Sequence, residues 1–131
     1  MDTSGNELFA KGLKMRRAVL GDAHVDSAAD QSRSFGAPLQ DLVTEYCWGA
    51  IWTRTALEPR VRSLLTIGLL TALNRPRELR LHVLGAVRNG CSTEEIEEVL
   101  LQTAAYCGIP AALEAFQVAR TALFADDHDH E

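Results

Sequence analysis

The sequence predicts an all-α fold, a single compact helical domain, on three observations. No stretch alternates apolar and polar residues with the period of a strand. Apolar residues instead recur at separations of three and four, the spacing of one helix face. Helix-starting and helix-stopping residues bracket nearly every apolar segment. The chain has 131 residues, 47% of them apolar, which suits one domain over residues 1–125 followed by an acidic, disordered tail at 126–131.

The elements follow in order. Ser4 and Glu7 make a possible capping box for a first helix that runs to Leu20, where Gly21 stops it. Asp22 to Asp30 reads as a short second helix, and Ser32 to Pro38 as a loop punctuated by Gly36 and Pro38. A third helix is expected from Leu39 to about Thr53, with a wide stripe that includes Leu42, Val43, Tyr46, Trp48, Ile51 and Trp52. Pro59 opens the next, which runs to about Leu73 and is apolar nearly all round in its second half. Pro76 and Gly90 frame the helix that carries Glu78 and His82, and Ser92 with Glu95 caps the one after it. Gly108 and Pro110 separate a final helix that reaches about Phe124.

Composition narrows the function. The net charge is −5 and the basic residues are scattered, which argues against a nucleic-acid partner. The apolar run from Leu64 to Leu73 is too short to cross a bilayer, and no apolar leader begins the chain, so a cytoplasmic location is expected. Cys47, Cys91 and Cys107 are odd in number and far apart, the usage of a reducing compartment rather than of a disulfide scaffold or zinc site. No phosphate-binding loop, dinucleotide fingerprint, nucleophile elbow or His-Glu-x-x-His motif is present. A helix apolar on all sides is normally enclosed. A chain this short has too few other helices to enclose it, so self-association is expected.

The residues with chemistry to offer are few. Glu78 and His82 are four apart on one helix, where side chains meet. A carboxylate there can orient an imidazole that gives or takes a proton near neutrality, and the same pair on an outward face is only a solvated surface. Glu45, Trp48 and Trp52 fall on one face of an α-helix with Arg54 at its end. They are either a walled pocket for a small anion or core aromatics with a surface ion pair. Arg60 and Arg62 either hold substrate carboxylates through paired hydrogen bonds or serve as surface charges. His24 stands in Gly21-Asp22-Ala23-His24-Val25, and the tail carries Asp127-His128-Asp129-His130 without a frame to organise it as a metal site.

Several segments together resemble the carboxymuconolactone decarboxylase family. They are Arg16-Arg17-Ala18-Val19-Leu20-Gly21-Asp22-Ala23-His24-Val25, Trp48-Gly49-Ala50-Ile51-Trp52-Thr53-Arg54, Arg60-Val61-Arg62-Ser63-Leu64-Leu65-Thr66, Glu78-Leu79-Arg80-Leu81-His82, Asn89-Gly90, Glu94-Glu95-Ile96-Glu97-Glu98-Val99 and Tyr106-Cys107-Gly108-Ile109-Pro110-Ala111. The resemblance covers roughly residues 12 to 125. It implies the helical fold that this family shares with alkylhydroperoxidases, assembled as a homohexamer in the cytoplasm, with no cofactor and no metal. It implies decarboxylation of a lactone dicarboxylate, 4-carboxymuconolactone, to 3-oxoadipate enol-lactone in the protocatechuate branch of the β-ketoadipate pathway. His82 and Glu78 would then be catalytic, and Arg54, Arg62, Trp48, Trp52, Glu45 and His24 would bind substrate. Alkylhydroperoxidase-like proteins carry Cys-x-x-Cys-x-x-x-His instead. With that His placed on His82, the two thiol positions fall on Arg75 and Glu78, so thiol redox chemistry is disfavoured.

Overall fold

The structure, a computed structural model, describes residues 4–33 and 35–129, with side chains over 6–33 and 35–124. Among the described residues every regular element is a helix, with no strand. The helices are α1 (Ser4–Leu20), α2 (Asp22–Ser32), α3 (Ala37–Val43), a π-helix (Thr44–Ile51), α4 (Pro59–Ala72), α5 (Pro76–Arg88), α6 (Thr93–Cys107) and α7 (Ile109–Asp129). They gather into two compact units, Met1–Glu58 and Pro59–Glu131.

In the first unit, α1 packs along the π-helix, and α2 and α3 close the corner. Gly21 ends α1 at φ 88°, a conformation that a side chain would strain. Arg17 then reaches across the corner to Asp22 at 3.1 Å and Asp26 at 2.9 Å. The proposed Ser4 cap lies outside the described side chains.

The expected single helix from Leu39 to Thr53 is corrected here. It begins earlier, at Ala37, and from Thr44 to Ile51 its turns are wider. The amide of Trp52 donates to the carbonyl of Cys47, five residues back, at 3.0 Å. The neighbouring helix accounts for the geometry. A Cβ on Gly12 would lie 2.0 Å from the Thr44 carbonyl oxygen and 2.7 Å from the Gly49 nitrogen, and one on Gly49 would lie 2.4 Å from the Leu8 carbonyl oxygen. Two glycines thus let α1 and the π-helix meet backbone to backbone, over the atoms that a five-residue bond joins.

In the second unit, α4, α5, α7 and α6 form a ring of packed neighbours. Its core holds Ile67, Leu79, Val83, Ile96 and Leu100. From α7 it receives Ala115, Ala119 and Ala122, small residues that let that helix come close. Pro76 sits in the first turn of α5, and Gly90 follows its end at φ 91°. The Ser92–Glu95 capping box is present in full, each side chain bonded to the other's backbone amide at 3.0 Å. α7 kinks at Phe124 (φ −127°, ψ 28°) and continues to Asp129, past the end expected near Phe124 and into the expected tail. The tail's own side chains lie outside the described ones.

In the single chain α4 is covered on one side only, as expected of a chain with too few other helices to enclose it. Ser63, Ile67 and Thr71 are buried. Leu65, Leu69 and Leu73, one turn apart from each other, stay 52%, 52% and 60% exposed. One face of the helix meets its unit and the other faces out, because three neighbouring helices cannot surround it.

Candidate active site

The second unit carries the acid–base candidates. Leu79, Val83 and Ala86 turn into the core, which places Glu78 and His82 on the flank of α5, one turn apart. Glu78 is exposed at the first turn, and His82 is half-buried with its Nδ1 edge shielded from solvent. Such a ring has its Nδ1 edge against a low-dielectric wall. Arg62 is half-buried on α4, and its Nε is likewise shielded.

Arg60 has a defined role. It forms an ion pair with Glu95, the carboxylate of the α6 capping box. The Ser92 amide first, and then Arg60, hold the Glu95 carboxyl below the usual carboxylate range. Cys91 lies beside them, its thiol donating to the Arg60 carbonyl at 3.4 Å. Burial first, then the Glu95 charge, pushes that thiol up, with Arg60 opposing. Asn89 completes the network, donating to the buried Ser63 hydroxyl at 2.9 Å. This cluster joins α4 to the α5–α6 turn and holds Arg60 to a protein carboxylate.

A cavity of about 540 Å³ in this unit lies elsewhere. Arg75, Leu79, Tyr106 and Glu114 line it, and His82 does not.

The first unit carries the anion-binding candidates. Trp48 and Trp52 stack with ring centroids 4.8 Å apart and an interplanar angle of 27°. Both are buried. The π-helix alters their company. A wider turn keeps residues four apart in register but lets a separation of three fall short of a full turn. Trp48 and Trp52 therefore overlap while Glu45 swings away from the face it would share with them in an α-helix. The tryptophans belong to the unit's core. His24 is half-buried on α2.

Arg54 is exposed and lines a cleft of about 500 Å³ with Lys11, Thr53 and Thr55 over a floor at Gly49 and Ala50. Lys11 escaped the sequence reading. The signal for it was a pair of glycines, Gly12 and Gly49, inside helical patterns, the mark of close helix approach.

Arg16 was also missed as a structural residue. Only 8% exposed, it donates to Thr44 Oγ1 at 3.2 Å and Gln40 Oε1 at 2.9 Å, while its Nε finds no acceptor among the described residues. Burial lowers its pKa, and Cys47 nearby works the other way. Its bonds pin α1 to the junction where α3 becomes the π-helix.

Among the described residues no group of three His, Cys, Asp or Glu side chains is placed to hold a metal ion, and no helix is long and apolar enough to cross a membrane.

Comparison with known proteins agrees with the helical architecture. Residues 37–121 match the carboxymuconolactone decarboxylase family. The chain is 42% identical over 117 residues to a nitrosuccinic acid decarboxylase of Metarhizium robertsii, covering 89% of this chain and 82% of that one. It is 35% identical over 111 residues to a 4-carboxymuconolactone decarboxylase of Acinetobacter baylyi, covering 85% and 83%. An uncharacterised 15.0 kDa protein of Paracoccus denitrificans is 33% identical over 94% of this chain and 92% of its own.

Proposed function

Because the chain belongs to the carboxymuconolactone decarboxylase family, we propose that it is a carboxy-lyase acting on 4-carboxymuconolactone, forming 3-oxoadipate enol-lactone. The half-buried His82, one turn from the Glu78 carboxylate, carries the mechanistic part of this reading. The 35% identity to a 4-carboxymuconolactone decarboxylase over most of both chains supports the substrate.

The chemistry suits such a site. The scissile carboxylate sits on the carbon vinylogous to the lactone carbonyl. When that C–C bond breaks, its electron pair moves through the ring double bond to the carbonyl oxygen and CO2 departs. A proton added at the carbon next to the carbonyl then gives the enol-lactone. The electron sink is in the substrate itself, and a positioned acid supplies the proton. In the second unit, His82 delivers that proton, Glu78 orients the ring, and Arg62 is a further carboxylate partner. In the first unit, Arg54 binds a substrate carboxylate. Trp48 and Trp52 hold the water-poor scaffold behind it, His24 on α2 is a further polar group of that unit, and Glu45 stands outside the cleft lining.

A second reading, nitrosuccinic acid as substrate, is favoured by the 42% identity to a nitrosuccinic acid decarboxylase. The logic is shared. Loss of CO2 from the carbon bearing a nitro group places the electron pair in a nitronate, another sink internal to the substrate. Both molecules enter with two carboxylates and leave with one.

The deciding experiment offers each compound to the purified protein, 4-carboxymuconolactone being generated in situ, and follows CO2 together with the organic product. Enol-lactone formation well above that from nitrosuccinate assigns the first substrate, and the reverse order assigns the second. CO2 release from neither removes both.

A further inference from the structure

We propose that the cleft of the first unit is a carboxylate site in which Lys11 and Arg54 together hold the substrate carboxylate that survives the reaction. The assignment to substrate rests on the decarboxylase reading above, and the anion site rests on the cleft alone.

Two cations face this cavity, Lys11 from α1 and Arg54 from just beyond the π-helix, and no acidic side chain lines it. Lys11 makes no ion pair among the described residues. In a chain whose net charge is −5, a cavity with two positive side chains and no negative one runs against the composition. Both side chains offer positive charge to an anion that enters the cleft. Thr53 and Thr55 line the same wall, with the Thr53 hydroxyl donating to the Gly49 carbonyl. The register of Lys11 against Arg54 is set by the helix contact, because the approach at Gly12 and Gly49 admits no sliding. The space is an open cleft, carries two positive side chains, and has room for a small organic acid.

The chemistry chooses which carboxylate the pair holds. A cation favours a carboxylate most while the negative charge resides on it, and loss of CO2 moves that charge elsewhere. Cations on the departing group would stabilise the ground state over the transition state and slow the reaction. Cations on the retained carboxylate stabilise both states equally. The pair therefore belongs on the retained group, and its contribution falls on KM rather than kcat. The product, which keeps that group, competes for the same site.

The test uses the full chain with Lys11→Met, Lys11→Arg and Lys14→Met, the last an exposed lysine on the same helix outside the cleft lining. Equilibrium dialysis with labelled succinate measures binding without turnover, and steady-state kinetics run beside it. Lys11→Met should weaken succinate binding about tenfold, the loss of one charge-assisted hydrogen bond. It should raise KM by a similar factor, with kcat within about twofold of wild type. Lys11→Arg should restore most of the binding, and Lys14→Met should leave it within about twofold. Equal succinate binding by wild type and Lys11→Met overturns the site, as does an equal loss in Lys14→Met. A kcat that rises when Lys11 is lost moves the pair to the departing carboxylate and overturns the assignment. Succinate binding that depends on Lys11 without CO2 release from either substrate sinks the decarboxylase reading and leaves the anion site. CO2 release with both KM and kcat unchanged in Lys11→Met, together with unchanged succinate binding, leaves the decarboxylase reading and removes the site.

Discussion

His82 bears the sharpest prediction of any residue. If it delivers the proton, His82→Ala in a folded protein should cost about 10²–10⁴ in kcat. Unchanged turnover takes it out of the reaction and leaves His24 as the imidazole to try. Arg54→Ala should act mainly on KM, and a kcat loss larger than the KM rise would place its contact in the transition state. Glu95 governs a different observable. Its folded pKa is depressed, by the Ser92 amide first and Arg60 next, so its contribution to stability is present above the unfolded carboxylate pKa. That contribution is lost as pH falls through the folded value. Chemical denaturation of wild type and Glu95→Gln between pH 7 and pH 3 should show two curves that differ at neutral pH and converge on the acid side. Parallel curves would mean the pair does not titrate as described. Cys91, raised by burial, should be the slowest of the three thiols to react with a water-soluble disulfide reagent at pH 7.

At the scale of the element, the two glycines of the first unit and one of the second make opposite predictions. Alanine at Gly12 or Gly49 would press on backbone atoms that cannot yield, and each should destabilise the chain by about 3 kcal/mol, the upper part of the overpacking range. Alanine at Gly68 meets only Val99 Cγ1 at 3.8 Å, an ordinary contact. Helix propensity should then make that variant more stable by up to about 1 kcal/mol. Urea midpoints of the three variants test both signs.

The same helices show what the sequence made legible. Pro76, Gly90 and the Ser92–Glu95 box are local devices, satisfied within a few residues, and each stands where the pattern put it. The π-helix is not local. Whether an amide bonds four or five residues back depends on the helix pressed against it, and nothing between Thr44 and Ile51 announces that pressure. Glu45 was consequently read onto a face it does not share, and Lys11 was passed over because its partner in the cleft is 43 positions away in the chain. On α5, the four-residue spacing of Glu78 and His82 was visible, while the shielding of His82 on one edge required the packed unit.

For the whole molecule, the prediction concerns assembly. The face of α4 with Leu65, Leu69 and Leu73 lies open in one chain, and a groove of about 390 Å³ beside it is lined by Leu64, Leu65, Leu69 and Val99. Apolar surface of this extent marks an interface, and we propose that copies of the chain cover it in a homohexamer. Light scattering at micromolar concentration should give six times the chain mass. Leu65→Lys with Leu69→Lys should lower it while helicity by circular dichroism persists. A wild-type mass of one chain would end the proposal.

The wide turn at Thr44–Ile51 has a genetic reading as well. A π-helix differs from an α-helix as though one residue had been inserted. Loss of a single codon in that stretch would let the backbone close into ordinary turns without breaking the helix. The extra residue is taken up inside the wide turn, so after such a loss Thr53 and Arg54 would keep their present direction. The change would fall on the seam with α1, where Gly12 meets the Thr44 carbonyl and the Gly49 nitrogen. A lineage could therefore shed the wide turn with the cleft's side chains intact, and the cost would appear as a looser seam between two helices rather than as a lost contact with substrate.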